Sequence, residues 1–201
     1  MTKNLSAVSR AHLARVIEPV GRSLVRAGVS ADVVTVLGTL GVVVGCLGFV
    51  VRGQLLVGLV IVMLSVLTDM LDGAVARAGG GSSRFGAFLD STMDRLSDGV
   101  IFGSLAYWLA TTDRHAAAAV ALLCLVSGQL VSYTKARSEG LGIPCDVGLA
   151  ERSERLVLVG LGAVLWLAGV PYALDVALWL LAVLSLVTVG QRIRHVWRAT
   201  R

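Results

Sequence analysis

Asp69, Asp72, Asp90, Asp94 and Asp98 stand close together in a chain that is otherwise apolar. A carboxylate at membrane depth costs about 2.5–3.5 kcal/mol on insertion scales, so acids retained there are expected to do chemistry. Asp69 and Asp72 are three residues apart and Asp90 and Asp94 four apart, so on helices each pair shares one face. Between the pairs lies Ala78-Gly79-Gly80-Gly81-Ser82-Ser83, which does not continue a stable helix. Two helices joined by that turn bring both pairs together. Four ionised carboxylates repel, and divalent cations are the simplest way to neutralise them. All-oxygen ligands suit Mg2+, Mn2+ or Ca2+ rather than zinc, and the stretch from Thr68 to Val100 holds no His or Cys.

The elements that position these residues follow from composition. The 201 residues are 56% hydrophobic and 15% charged, with a mean hydropathy of +0.81. Such a chain is a polytopic membrane protein and not a soluble domain. A span takes about 20 apolar residues. The predicted fold is therefore all-α and integral to the membrane, a single domain over 1–201 with six transmembrane helices. The spans fall near 31–51, 54–77, 84–111, 116–138, 153–170 and 173–196. An amphipathic interfacial helix over 5–27 precedes them. There Leu13, Ile17, Val20 and Leu24 recur at helical spacing, with Arg15, Arg22 and Arg26 on another face. Ser30 or Asp32 caps the first span. Cys46, Cys124 and Cys145 show no metal or redox spacing and read as small buried hydrophobes.

Six spans place both termini, the turn near 78–83 and the loop near 139–152 on one side. Of the 18 Lys and Arg residues, only Arg52 and Arg114 fall on the other. The positive-inside rule then puts both termini and the acidic cluster on the cytoplasmic face of the cell membrane.

The acidic stretch has a fixed pattern: Asp69-x-x-Asp72-Gly73-x-x-Ala76-Arg77, eight residues, then Gly86-x-x-x-Asp90-x-x-x-Asp94. This resembles the signature of the CDP-alcohol phosphotransferases at every fixed position. The resemblance implies an integral membrane enzyme that transfers a phosphatidyl-type group from a CDP-linked donor to an alcohol and releases CMP. It implies two bound divalent ions, Mg2+ or Mn2+, with Asp69, Asp72 and Asp90 as ligands and Asp94 as general base and ligand. For the donor, CDP-diacylglycerol, it implies contacts from Gly73, Ala76 and Arg77. Gly73 and Ala76 are small enough for close approach, and Arg77 offers a fork to the pyrophosphate. Asp32-x-x-Thr35 resembles a further nucleotide contact of the family, with Asp32 where many members have Asn. Ser83 is expected as a hydroxyl contact beside the nucleotide. Asp98 lies outside the signature and reads as a partner for Arg95 or another nearby cation.

Ser132-Tyr133-Thr134-Lys135-Ala136-Arg137, then Glu151-Arg152-Ser153-Glu154-Arg155-Leu156, then Gln191-Arg192 make a second informative set. These cations at cytoplasmic helix ends suit a phosphorylated acceptor better than a neutral one. The set resembles the phosphatidylinositol phosphate synthases of actinobacteria, a subfamily whose acceptor is inositol phosphate. By that resemblance Lys135, Arg155 and Arg192 bind the acceptor phosphate, with Arg137 and Arg152 as neighbours. Charge alone does not separate this reading from a phosphatidylglycerophosphate synthase that takes glycerol 3-phosphate. A divalent-cation channel or carrier is the alternative of another class, and the apolar runs beyond the cluster speak against it. Membrane lipid and a second copy in a homodimer are the expected partners, and no nucleic acid is. Gly38, Gly41, Gly45 and Gly48 in the first span supply small residues for close helix contacts.

Overall fold

A computed structural model describes residues 17–81 and 83–201, with all of their side chains except those of Asp69 and Met70. Every regular element among the described residues is helical. Residues 17–26 form α1. It is followed by α2 (Ala31–Gly48), a 3-10 turn at Val50–Arg52, α3 (Leu55–Ala78), α4 (Arg84–Thr111), α5 (His115–Glu139), α6 (Arg152–Leu167) and α7 (Ala173–Ala199). The part of the expected interfacial helix that carries Leu13 and Arg15 lies outside the described residues.

Local chemistry sets the helix ends. α3 stops where Gly80 and Gly81 take φ of +101° and +115°, conformations that only glycine adopts without strain. The Gly81 N–H then closes on Ala76 O at 2.8 Å, a Schellman closure that satisfies an otherwise orphaned carbonyl. α4 restarts at once, with Ser83 as its N-cap: Ser83 Oγ accepts from Gly86 N at 2.8 Å. α1 ends in the same way as α3, with Gly28 at φ +78° and Val29 N bonded to Leu24 O at 3.0 Å.

Among the described residues, four helical stretches are long and apolar enough to cross a bilayer: Ala31–Arg52, Leu55–Ala78, His115–Glu139 and Ala173–Ala199. The chain is thus a multi-pass membrane protein. Two of the six expected spans do not meet that measure. α4 has 28 residues, but Arg84, Asp90, Asp94, Arg95 and Asp98 crowd its N-terminal part. α6 has 16 residues, short of the roughly 20 that a span takes. Leucines and valines such as Leu37, Leu40, Val44, Leu64 and Leu67 point outward, as helices facing lipid require.

The chain divides into two compact units, Met1–Gly45 with Val60–Ser97 and Cys46–Leu59 with Asp98–Arg201. In the first, small residues let helices approach closely. A Cβ on Gly38 would sit 2.1 Å from Thr68 Oγ1, and one on Gly41 2.2 Å from Ser65 Oγ. These two glycines therefore serve contacts between α2 and α3 of one chain. Gly21 of α1 meets Ala74 of α3 in the same way, 3.0 Å from its backbone. In the second unit α7 packs on both α5 and α6. Phe102, Leu109, Ala121, Cys124, Leu174, Leu178 and Leu181 form its core. Arg114 pairs with Asp175 there, its guanidinium 5.9 Å from the Trp108 ring and 5.7 Å from that of Trp166.

Glycine spacing on α2 yields a contrast. Gly38→Val drives side-chain atoms into α3 and should lower the thermal midpoint in detergent by about 3–10 °C. Gly48 has open space around it, so Gly48→Ala should leave the midpoint within about 1 °C. Thermal unfolding of the two variants checks this.

Candidate functional site

Within the first unit, the end of α1, the start of α2, the end of α3 and the start of α4 enclose a cavity of about 590 Å³. Asp32, Thr35, Asp72, Gly73, Ala76, Ser83 and Asp90 all line it. Seven of the residues singled out in the sequence therefore share one cavity. Glycines and alanines supply much of the rest of the wall, which leaves room for a ligand to approach backbone.

Asp72 is the buried acid of this site, 8% exposed. Thr35, also buried, donates from Oγ1 to Asp72 Oδ2 at 2.7 Å. The same hydroxyl lies 3.1 Å from Ala31 O. It has one proton, and the shorter, charge-assisted contact to the carboxylate takes it. Thr35 thus orients Asp72 across α2 and α3. Asp32 lies against the start of α4, where a Cβ on Gly86 would come within 3.0 Å of its Oδ1. Ser83 spends its oxygen as acceptor on the α4 cap, which gives it a structural task beside the expected nucleotide contact. Arg77 is exposed, and its Nη1 would lie 3.4 Å from a Cβ on Gly73, so the guanidinium folds back over Gly73. Asp94 is half-buried one turn after Asp90, with Arg95 Nη2 3.6 Å from its Oδ2.

Among the described residues, three carboxylates line the cavity and no Lys, Arg or His does. A buried carboxylate needs positive charge or hydrogen bonds to offset its desolvation, so a bound cation suits this lining. Among the described residues no three His, Cys, Asp or Glu close into a compact metal-binding group. Asp69, whose side chain is not described, stands three residues before Asp72 on α3. The donor set is all oxygen, which fits Mg2+ or Mn2+.

Sequence reasoning missed one wall. Val25, Gly28 and Val29 line the cavity, so the end of α1 belongs to the site and is more than a membrane-surface element. Gly28 directly after a periodic stretch signals a helix stop, and that signal marked where the wall would turn.

The basic set lies in the second unit. Lys135 donates to Asp146 Oδ1 at 3.0 Å, and Arg137 is exposed. Arg152 is partly exposed, its Nε 3.6 Å from Asp98 Oδ1. Arg155 is only 1% exposed and holds Asp98 Oδ2 through Nη2 at 2.5 Å. Asp98 thus finds its cations on α6. Arg192, 2% exposed, donates to Val147 O at 2.9 Å, to Val131 O, and to Glu151 Oε1 at 3.2 Å. Burial therefore gives Arg155 and Arg192 protein partners, while Lys135, Arg137 and Arg152 remain accessible from outside.

Residues 29–190 match the family model described as CDP-alcohol phosphatidyltransferase. The chain is similar to the phosphatidylinositol phosphate synthase of Streptomyces avermitilis, 50% identical over 202 residues that cover 96% of this chain and 83% of that protein. It is similar to the enzyme of the same name from Mycobacterium marinum, 48% identical over 198 residues covering 94% and 83%. Among solved structures it resembles the Mycobacterium tuberculosis phosphatidylinositol phosphate synthase with CDP-DAG bound. The TM-score there is 0.87 at 46% identity, over 92% of this chain and 94% of that one. A complex of that protein with manganese and citrate gives 0.85 at 46% identity, over 90% and 88%.

The Thr35 hydroxyl carries a prediction. Thr35→Val keeps the shape and removes the donor to Asp72. The Mn2+ concentration that gives half-maximal thermal protection should then rise about tenfold, as for loss of a hydrogen bond to a charged group.

Proposed function

We infer the reaction from the family to which the chain belongs, the CDP-alcohol phosphatidyltransferases. The enzyme transfers the phosphatidyl group of CDP-diacylglycerol to inositol phosphate, giving phosphatidylinositol phosphate and CMP. The observation that carries this reading is the extent of the likeness. About half of the residues are identical to phosphatidylinositol phosphate synthases over 94–96% of the chain, across both the acid-lined cavity and the basic set. We read the two units accordingly as one catalytic domain.

The residues divide the work. Asp69, Asp72, Asp90 and Asp94 would hold two divalent ions, Mg2+ or Mn2+. When bound, these supply positive charge to the phosphate oxygens of the donor and the leaving group. Thr35, Asp32, Gly73, Ala76 and Ser83 shape the wall against the cytidine diphosphate, and Arg77 offers its fork to the pyrophosphate. The acceptor hydroxyl attacks the phosphorus that bears the diacylglycerol. Its proton passes to the Asp94 carboxylate, the phosphoanhydride bond breaks, and its electron pair leaves with CMP. The acceptor phosphate is met by the basic set. Lys135, Arg137 and Arg152 reach it directly, and Arg155 and Arg192 hold their surroundings in place behind it.

Six spans with both termini and the acid-lined cavity on the cytoplasmic side fit the distribution of Lys and Arg. In this reading α4 and α6 cross the membrane within the protein, where charges and short length are tolerated. The enzyme is read as a homodimer that uses surfaces other than Gly38 and Gly41.

CMP release from CDP-diacylglycerol with Mg2+ tests the proposal, run in parallel with inositol phosphate, glycerol 3-phosphate and free inositol. Turnover with inositol phosphate alone is expected. Preference for glycerol 3-phosphate would overturn the acceptor and leave the Asp chemistry intact. Asp94→Asn should lower turnover by about a thousandfold or more while CMP still protects the protein thermally. Loss of that protection would make Asp94 chiefly a ligand.

A further inference from the structure

Asp98 is a buried carboxylate that the reaction just described does not use. It lies four residues after Asp94 on α4, is 3% exposed, and belongs to the second unit. Its two oxygens face two different arginines of α6. Oδ2 takes Arg155 Nη2 at 2.5 Å, and Oδ1 lies 3.6 Å from Arg152 Nε.

Three features make this more than packing. Arg152 and Arg155 both stand in the first turn of α6, where the helix dipole disfavours cations. Glu151 at the N-cap and Glu154 in the same turn supply the acids that favour a helix start, so the two arginines stand there against that preference. α5 is also thinned to admit Arg155: a Cβ on Gly128 would come within 3.3 Å of Arg155 Nε. Finally, burying an ion pair gains little over burying apolar side chains of similar size. The two arginines differ in exposure as well. The Arg155 side chain is 1% exposed and that of Arg152 19%. One is locked inside and the other reaches the surface, and a single carboxylate ties both to α4.

We propose that Asp98 is a positioning residue for acceptor binding: by holding Arg155 it fixes the first turn of α6 on α4, and so sets where Arg152 meets the acceptor phosphate. Asp98 itself touches no substrate. The inference rests on the reading of Arg152 as an acceptor contact.

The test is steady-state CMP release by the full-length enzyme, with CDP-diacylglycerol and inositol phosphate varied in turn. Asp98→Asn should raise the KM for inositol phosphate about tenfold and change that for CDP-diacylglycerol less than about twofold, with Asp98→Glu recovering part of the loss. Gly128→Ala pushes on the Arg155 guanidinium from α5 and should give the same split in smaller measure. It decides the matter if Asp98→Asn does not accumulate as folded protein. Unchanged KM values, or both rising together with a lowered melting temperature, would overturn the proposal and leave Asp98 a purely structural pair. If the wild-type enzyme turns over glycerol 3-phosphate and not inositol phosphate, the inositol phosphate reading fails by itself. Asp98 is then judged by the same split with the acceptor that is used.

Discussion

A carboxylate on a helix that crosses a bilayer must find positive charge, and the acids of this chain differ in where they find it. In the second unit the protein supplies it. Asp98 has Arg155 and Arg152, Asp175 has Arg114 between two tryptophans, and Glu151 has Arg192. In the first unit Asp32, Asp72 and Asp90 line a cavity to which no Lys, Arg or His among the described residues contributes. There Thr35 donates to Asp72, and an all-oxygen lining of this kind suits a divalent cation.

The rest of the architecture serves this difference. Glycines on α2 and α1 bring those helices against α3, and this closeness lets Thr35 reach Asp72. The turn of Gly80 and Gly81 ends α3, and Ser83 restarts α4 two residues later, so both acid-bearing helices border one cavity. In the second unit one face of α7 holds the loop between α5 and α6. Thr188 Oγ1 accepts from Leu149 N at 3.0 Å and Ala150 N at 3.1 Å. Arg192 reaches Val147 O, and His195 Nε2 lies 2.9 Å from Pro144 O. Spaced four and three residues apart, these side chains form one stripe on the helix. They fix the loop that leads into Arg152.

Much of this was legible in the chain, and the limits have physical causes. The ends of α2 to α7 follow from apolar runs and from Gly, Ser and Asp punctuation, and fall within a few residues of expectation. The pairing of the aspartates on shared helix faces was legible, because three- and four-residue spacings put side chains on one face. The partners of buried charges were not. Asp98 was read as a partner for Arg95 or another nearby cation, and nothing local pointed to the arginine 57 residues away that also holds it. Arg192 was expected at the acceptor phosphate from its place near a helix end, and nothing in the sequence signalled the carbonyl and carboxylate acceptors that distant segments also bring to it. Gly38 and Gly41 were read as small residues for close helix contacts, but a run of small residues does not say which helix will approach. Each of these is a long-range contact, and local periodicity carries no information about it.

The central claim is that the acid-lined cavity binds the nucleotide only when its charge is compensated by a divalent cation. It is tested most directly by the affinity of CMP for the purified protein, measured by titration calorimetry with and without Mn2+. Linkage requires each ligand to strengthen the other. The account predicts a CMP Kd at least about tenfold lower in saturating Mn2+, and a Mn2+ Kd lowered by the same factor in saturating CMP. Equal CMP affinity in the presence and absence of the metal would contradict it.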